Sequence, residues 1–213
     1  CNSYFIKLGL EVGRDKILNM ADNFGLGHMT GLGKQGIDEP RGMIPSTIGP
    51  AHPAETGNIS IGQGPLLVSP VQAANMTAAI ANGGILNQVS LVDSIENDKG
   101  EKIRNVRNSG WKRVISKETA VQLQGMMLLT VQAGTGSMAN VRGYGGSAGK
   151  TGSAETGWVI DDRQIIHAWF AGYFPVDTPR YSLCVFIEDG QSGSRSAAPV
   201  FAEIAAKLMD AGY

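Results

Sequence analysis

The chain has 213 residues, is 42% hydrophobic and 17% charged, and sets 18 Lys and Arg against 19 Asp and Glu for a net charge of −1. Near-neutrality excludes a surface built wholly for nucleic acid or acidic substrates, and no run approaches the ~18 consecutive apolar residues that span a bilayer. Its 29 glycines and 9 prolines stay below the roughly one-quarter share that marks low complexity, so the composition describes a folded chain, rich in glycine turns and long enough for a sizeable core. Cys1, not methionine, opens the sequence, and Asn2-Ser3-Tyr4-Phe5-Ile6 lacks the basic segment and long apolar run of a signal peptide. The expectation is a processed chain or part of a longer protein. Residues 3–24 carry apolar positions at helical spacing (Phe5, Ile6, Leu8, then Ile17, Leu18, Ala21, Phe24), broken by Gly9 and Gly13, which predicts two short helices. From Gly25 to about Pro65, Gly, Pro, Asn and Ser dominate, and one long loop is expected.

Ser69-Pro70-Val71-Gln72 then combines three helix-start signals: a serine cap, proline in the first turn and glutamine three residues after the cap. The helix runs through Ala73, Met76 and Ile80 and stops at Gly83 or Gly84. Residues 88–107 read as a hairpin, with Val89, Leu91 and Val92 leading to the turn Asn97-Asp98-Lys99-Gly100 and a return through Ile103 and Val106. Ser116 caps a second long helix ending near Gly134, and a glycine-rich passage follows from Gly143 to Ser153. Two β-branched and aromatic runs, Ile165 to Phe174 and Tyr181 to Ile187, predict an antiparallel pair. A helix over about Ala197 to Met209 carries one apolar stripe (Val200, Phe201, Ile204, Ala205, Leu208) to lay on that sheet. Antiparallel strands with flanking helices make an α+β fold.

Several pattern matches fail on context. Gly31-Leu32-Gly33-Lys34-Gln35-Gly36 fits GxGxxG, but no strand precedes it and no helix opens from it. Gly149-Lys150-Thr151 ends like a phosphate loop, yet position 144 is Tyr where that motif needs Gly, and a strand rather than a helix N-terminus follows. His28, His52 and His167 are isolated, and HExxH is absent, so no metal site and no cofactor is expected. Gly190-Gln191-Ser192-Gly193-Ser194 lacks the second glycine of a GxSxG elbow. Cys1 and Cys184 have no ligand spacing, and Cys184 reads as a buried small hydrophobe.

What remains is Lys150-Thr151-Gly152, running on into Ser153-Ala154-Glu155. With a long helix before it, two antiparallel strands after it and a terminal helix, it resembles the KTG segment of the penicillin-binding protein transpeptidases, whose reactive machinery is spread over SxxK, SxN and KTG. The resemblance covers the whole chain. Gly62-Gln63-Gly64 followed by Leu66 to Ala74 is similar to the passage after the active-site loops of the class B, monofunctional members. Gly134-Thr135-Gly136 and Gly149 to Glu155 resemble the family's GTG and GKTGTAE-like passages, with Ser153 where Thr is commoner, and Cys1-Asn2 resembles the last two residues of SxN. The resemblance implies the β-lactamase/transpeptidase-like fold and a serine acyl transferase that cross-links peptidoglycan stem peptides ending in D-Ala-D-Ala and is acylated by β-lactam antibiotics. It further implies an extracytoplasmic domain on a membrane-anchored parent, with cell-division or elongation proteins as candidate partners and no nucleic acid.

The chemistry of KTG also stands on its own. A peptide ending in a carboxylate can add to a sheet edge, where backbone groups set its register and a cation neutralises its terminus. Lys150 supplies the positive field, Thr151 a hydroxyl for the carboxylate, Gly152 room for close approach, and the Ser153 N–H one donor to the acyl oxygen. By the resemblance, Asn2 binds the substrate amide and helps orient the catalytic lysine. The plainer reading is a solvated lysine and a turn glycine on an ordinary hairpin.

The nucleophile is the departure. SxxK occurs twice, as Ser147-Ala148-Gly149-Lys150, whose lysine is already that of KTG, and as Ser109-Gly110-Trp111-Lys112, in a loop before the helix cap; neither sets a serine one helical turn from a base. In the family SxxK precedes SxN, so residues 1–213 are expected to be the C-terminal part of a transpeptidase domain, without nucleophile or base, and inactive alone. The alternatives are a β-lactam-sensing or non-catalytic penicillin-binding domain, and a scaffold module. Sensor domains are expected to lack the helix after Gly62-Gln63-Gly64, so its presence favours the transpeptidase.

Overall fold

The computed structural model describes residues 1–105 and 111–212. In chain order it has helices α1 (Asn2–Val12), α2 (Arg14–Asn23), α3 (Pro53–Ser60) and α4 (Pro70–Ala81), strands β1 (Ile85–Asn87), β2 (Ser94–Glu96), β3 (Lys102–Asn105) and β4 (Trp111–Arg113), then α5 (Lys117–Ala133), β5 (Ala148–Ile160), β6 (Arg163–Phe174), β7 (Tyr181–Ile187) and α6 (Ala198–Asp210). The order β5-β6-β7 forms a three-stranded antiparallel sheet, with two smaller ladders, β1-β4 and β2-β3. The α+β class expected from the sequence is the one observed.

Local signals act where they were read. Ser69 accepts from the Gln72 N–H while the Gln72 side chain accepts from the Ser69 N–H, a reciprocal capping box with Pro70 in the first turn. Gln72 also donates to the carbonyls of His28 and Arg41, tying the helix start to the preceding loop. Asn97 folds its own turn, its side-chain oxygen accepting from the Lys99 and Glu101 N–H groups. The α6 stripe lies on the sheet: Phe201 is fully buried, its ring 4.7 Å from Phe170 and 5.7 Å from Phe174, and Ala205 is buried beside it. Each such phenylalanine contributes about 1.5–3 kcal/mol by leaving water. A second core gathers Phe24, Leu26, Ile80, Ile115 and Ala120 between α2, α4 and α5.

Three expectations are corrected. The first two helices divide at Gly13 (φ 91°) alone, and α1 runs unbroken through Gly9. A Cβ at Gly9 would stand 1.7 Å from Ser60 Oγ, so this glycine lets α1 cross α3 rather than ending the helix. The Gly25–Pro65 loop contains α3, eight residues started by Pro53 and by His52 Nδ1, which accepts from the Ala54 N–H; its buried residues are Thr56, Gly57 and Ile59, too few apolar positions to show a period. The 88–107 hairpin forms about the Asn97–Gly100 turn but is shorter than expected: β2 pairs with β3, Val89, Leu91 and Val92 lie in no strand, and a separate ladder outside it pairs β1 with β4. Val106 falls outside the described residues.

Candidate active site

The KTG segment lies in β5, a 13-residue strand on the outer edge of the main sheet, where the sequence showed only a glycine-rich passage turning strand-like after Thr151. The register sets Lys150 against Ala171, Thr151 against Phe170, Gly152 against Trp169 and Ser153 against Ala168. Alternation then divides the side chains: Thr151 and Ser153 share the Phe170 face, over which α6 packs, and Lys150 and Gly152 share the opposite face with Trp169. Glycine is needed at position 149, since a Cβ there would meet the Phe170 ring at 2.5 Å.

Each group has a defined setting. Lys150 is exposed and forms no ion pair among the described residues; its Nζ donates to the Thr151 carbonyl at 2.7 Å, and desolvation against the protein lowers its pKa below the ordinary lysine value. An arriving carboxylate would engage that charge. Thr151 Oγ1 lies 2.8 Å from Thr135 Oγ1, so the threonine of the Gly134-Thr135-Gly136 passage orients the KTG hydroxyl. The Ser153 hydroxyl accepts from the Gly193 N–H at 3.1 Å. Gly193 opens a π-helical turn, Gly193–Ala197, pressed so closely on the sheet that a Cβ would stand 2.5 Å from the carbonyl oxygens of both Gly152 and Trp169. The backbone of KTG is thus braced from behind by a turn type often found at functional sites.

On the outer edge, Gln63 Nε2 donates to the Ser153 carbonyl at 3.0 Å and Gln63 Oε1 accepts from the Glu155 N–H at 3.4 Å. These bonds identify the backbone groups of Ser153 and Glu155 that point away from β6. The Ser153 N–H shares that direction with its own carbonyl and meets no side-chain acceptor among the described residues. Asn2 is the first residue of α1, exposed, and its side chain bonds to nothing on β5. Its connection to the edge is indirect: α1 crosses α3 at Gly9 and Ser60, and the residues after α3 carry Gln63 to Ser153. Gln63 and Thr135 stand inside sequence motifs that do not reveal their contacts, because their partners lie 90 and 16 residues away.

The SxxK match at Ser147 is structural. Ser147 is buried, with its hydroxyl donating to the Ala139 carbonyl at 2.6 Å, while Lys150 points elsewhere in an extended strand. Ser109 and Gly110 lie outside the described residues, and Lys112 donates to Asn23 Oδ1. The GxGxxG match does cradle an anion, but it is the chain's own: Glu39 accepts from the Gly31, Gly33 and Thr30 N–H groups and the Thr30 hydroxyl. Burial raises the Glu39 pKa, and these four bonds outweigh it, holding the carboxyl at about 2. A cavity of about 500 Å³, lined in part by Glu39, Asn75 and Lys112, opens beside this loop. No cluster of metal-ligating side chains occurs among the described residues. Burial pushes the Cys184 thiol up to about 12, in keeping with an inert side chain.

Residues 1–206 match the family described as the penicillin binding protein transpeptidase domain. The peptidoglycan D,D-transpeptidase PbpA of Mycolicibacterium smegmatis is 34% identical over 99% of this chain and 42% of its own length. Penicillin-binding protein PbpB of the same organism is 36% identical over 96% of this chain and 33% of its own. Among solved structures, penicillin binding protein 3 from Mycobacterium tuberculosis in complex with aztreonam superposes with a TM-score of 0.83 at 32% identity, covering 99% of this chain and 49% of that one. The chain therefore spans less than half the length of these three relatives.

Proposed function

We propose, from the premise that the chain belongs to the penicillin-binding protein transpeptidase family, that it carries the substrate-binding side of a serine-type peptidoglycan D,D-transpeptidase. One observation carries this reading: a lysine with no ion pair among the described residues, a hydroxyl, a glycine and an outward N–H stand in succession, Lys150 to Ser153, on an edge strand. The stem peptide adds along that edge with its terminal D-Ala carboxylate at Lys150 and Thr151. Gly152 leaves room for its backbone. The Ser153 N–H donates to the carbonyl oxygen of the penultimate D-Ala as a serine oxygen attacks its carbon, and the terminal D-Ala leaves with the serine proton. Asn2 holds the substrate amide. The serine and its lysine base are proposed to come from outside this chain; among the described residues, Ser147 is engaged with Ala139 and shares no helix with a lysine base.

A β-lactam follows the same course: its carboxylate takes the place of the peptide's terminus, and its ring carbonyl is the acylated carbon. A complex of the same M. tuberculosis relative with ampicillin, a penicillin that carries this carboxylate, supports that reading. The work belongs on the extracytoplasmic face, on a membrane-anchored parent; no helix among the described residues is itself long and apolar enough to cross a membrane. The α4 helix after Gly62-Gln63-Gly64 favours a transpeptidase over a sensor domain.

The test is Lys150→Ala in the parent protein, read by fluorescent-penicillin labelling and by turnover of a peptide ending in D-Ala-D-Ala. Loss of a preorganised charge predicts a fall of about 2–4 kcal/mol in transition-state stabilisation. An unchanged acylation rate refutes the role of Lys150. The 213-residue chain alone should show no stoichiometric acyl addition by mass spectrometry.

A further inference from the structure

The open edge of β5 is not empty along its length. An edge strand attracts an added strand through outward N–H and C=O groups, here those of Thr151, Ser153 and Glu155. Lys150 Nζ already engages the Thr151 carbonyl, and Gln63 engages the Ser153 carbonyl and the Glu155 N–H. In antiparallel addition one residue of the new strand would use both the N–H and the C=O of Ser153; in parallel addition one residue would use the Ser153 C=O and the Glu155 N–H. The antiparallel orientation, which puts the ligand carboxylate at Lys150 and its acyl oxygen at the Ser153 N–H, requires the Ser153 carbonyl, the group Gln63 holds at 3.0 Å. A carboxamide offers the same donor and acceptor as a peptide unit, and it reaches this edge from the loop after α3.

We propose that Gln63 is a specificity-determining residue, a displaceable stand-in for the ligand backbone at Ser153 and Glu155. A ligand that brings an amide N–H to the Ser153 carbonyl must exchange with the Gln63 carboxamide. A ligand without that donor leaves Gln63 bonded and meets only the Lys150–Ser153 N–H part of the edge. Gln63 thus sets how strongly the site rewards an amide beside the reacting carbonyl. The inference rests on the transpeptidase reading above.

The experiment uses the full parent protein and two penicillins with the same fused ring, one bearing an acylamino side chain and one with no side chain. Second-order acylation rates are measured for each, and the amide-bearing to bare-ring ratio is compared between wild type and variants. In Gln63→Ala the slot has no occupant, and the ratio should rise about threefold to tenfold, the effect of one hydrogen bond released from competition. Gln63→Glu keeps the reach of the side chain and the acceptor for the Glu155 N–H but cannot donate to the Ser153 carbonyl when ionised, so the ratio should rise there too. This second variant keeps the test decisive if the alanine protein fails to fold. If Gln63 only fastens the α3 loop, both ligands slow together and the ratio stays at its wild-type value, which overturns the proposal; a falling ratio, meaning that Gln63 aids the amide, overturns it as well. Wild-type protein that is acylated by neither ligand refutes the transpeptidase reading itself.

Discussion

Replacing Glu39 with glutamine tests how the glycine-rich region before α4 is held together. The Glu39 residue is 6% exposed, so ionising it there is costly, yet four donors converge on its two oxygens. The outcome is a carboxyl at about 2 against an ordinary 4.5. A shift of that size corresponds to about 3 kcal/mol of folding stability, and screening by water along the adjoining open cavity trims it to about 2 kcal/mol. Glutamine keeps one acceptor and turns an NH2 group towards N–H donors, so Glu39→Gln should lose most of this at neutral pH. The sign follows from linkage: a depressed carboxylate pKa gives stability that is complete above 4.5 and disappears as pH falls through about 2. Urea unfolding of both proteins at pH 7, 4 and 2.5 should therefore show a gap that closes with acidification. A gap under about 1 kcal/mol at pH 7, or one that does not change with pH, refutes the reasoning.

Further outcomes follow from the braces around β5. Gly193→Ala drives a Cβ into two backbone carbonyls that cannot rotate away, and should cost about 1–3 kcal/mol in thermal unfolding together with slower penicillin labelling of the parent; an unaltered melt contradicts the close approach. Thr135→Val removes the hydroxyl that meets Thr151 Oγ1, and about a threefold to tenfold loss of acylation is expected, recovered by Thr135→Ser; a valine variant with wild-type rates removes Thr135 from the site. Because desolvation lowers the Lys150 pKa, its cation is lost as pH rises through a value below the ordinary 10.5, and capture of a carboxylate should decline there. A pH profile of acylation should show this alkaline limb, and Lys150→Arg should move it upward; a limb at the same pH in both proteins assigns it to another group.

The residues that were legible in the sequence act through their neighbours in the chain. Ser69, Pro70 and Gln72 start α4 because a cap needs only backbone groups within three residues, and Asn97 closes its turn for the same reason. The α6 stripe was readable because helical period alone puts Phe201 and Ala205 on one face. Lys150-Thr151-Gly152-Ser153 was readable as chemistry, since side-chain types in order along an edge are enough to suggest what they bind. The short helix α3 was not, because its burial rests on Thr56 and Gly57 rather than on an apolar period. Nor was the extent of β5, whose glycines weaken any strand signal and make sense only once Phe170 and Gly193 crowd its backbone. By itself the sequence determined the capped starts of α4 and α5, the α+β class and the order of side-chain types along the edge motif. Tertiary structure alone decided that Thr135 aligns Thr151, that Gly193 braces Gly152, that Glu39 fills the nest of Gly31 and Gly33, and that Gln63 occupies the edge at Ser153. Each of those contacts joins groups distant in the chain or set by loop geometry, and their meeting depends on how helices and sheet pack rather than on any local period.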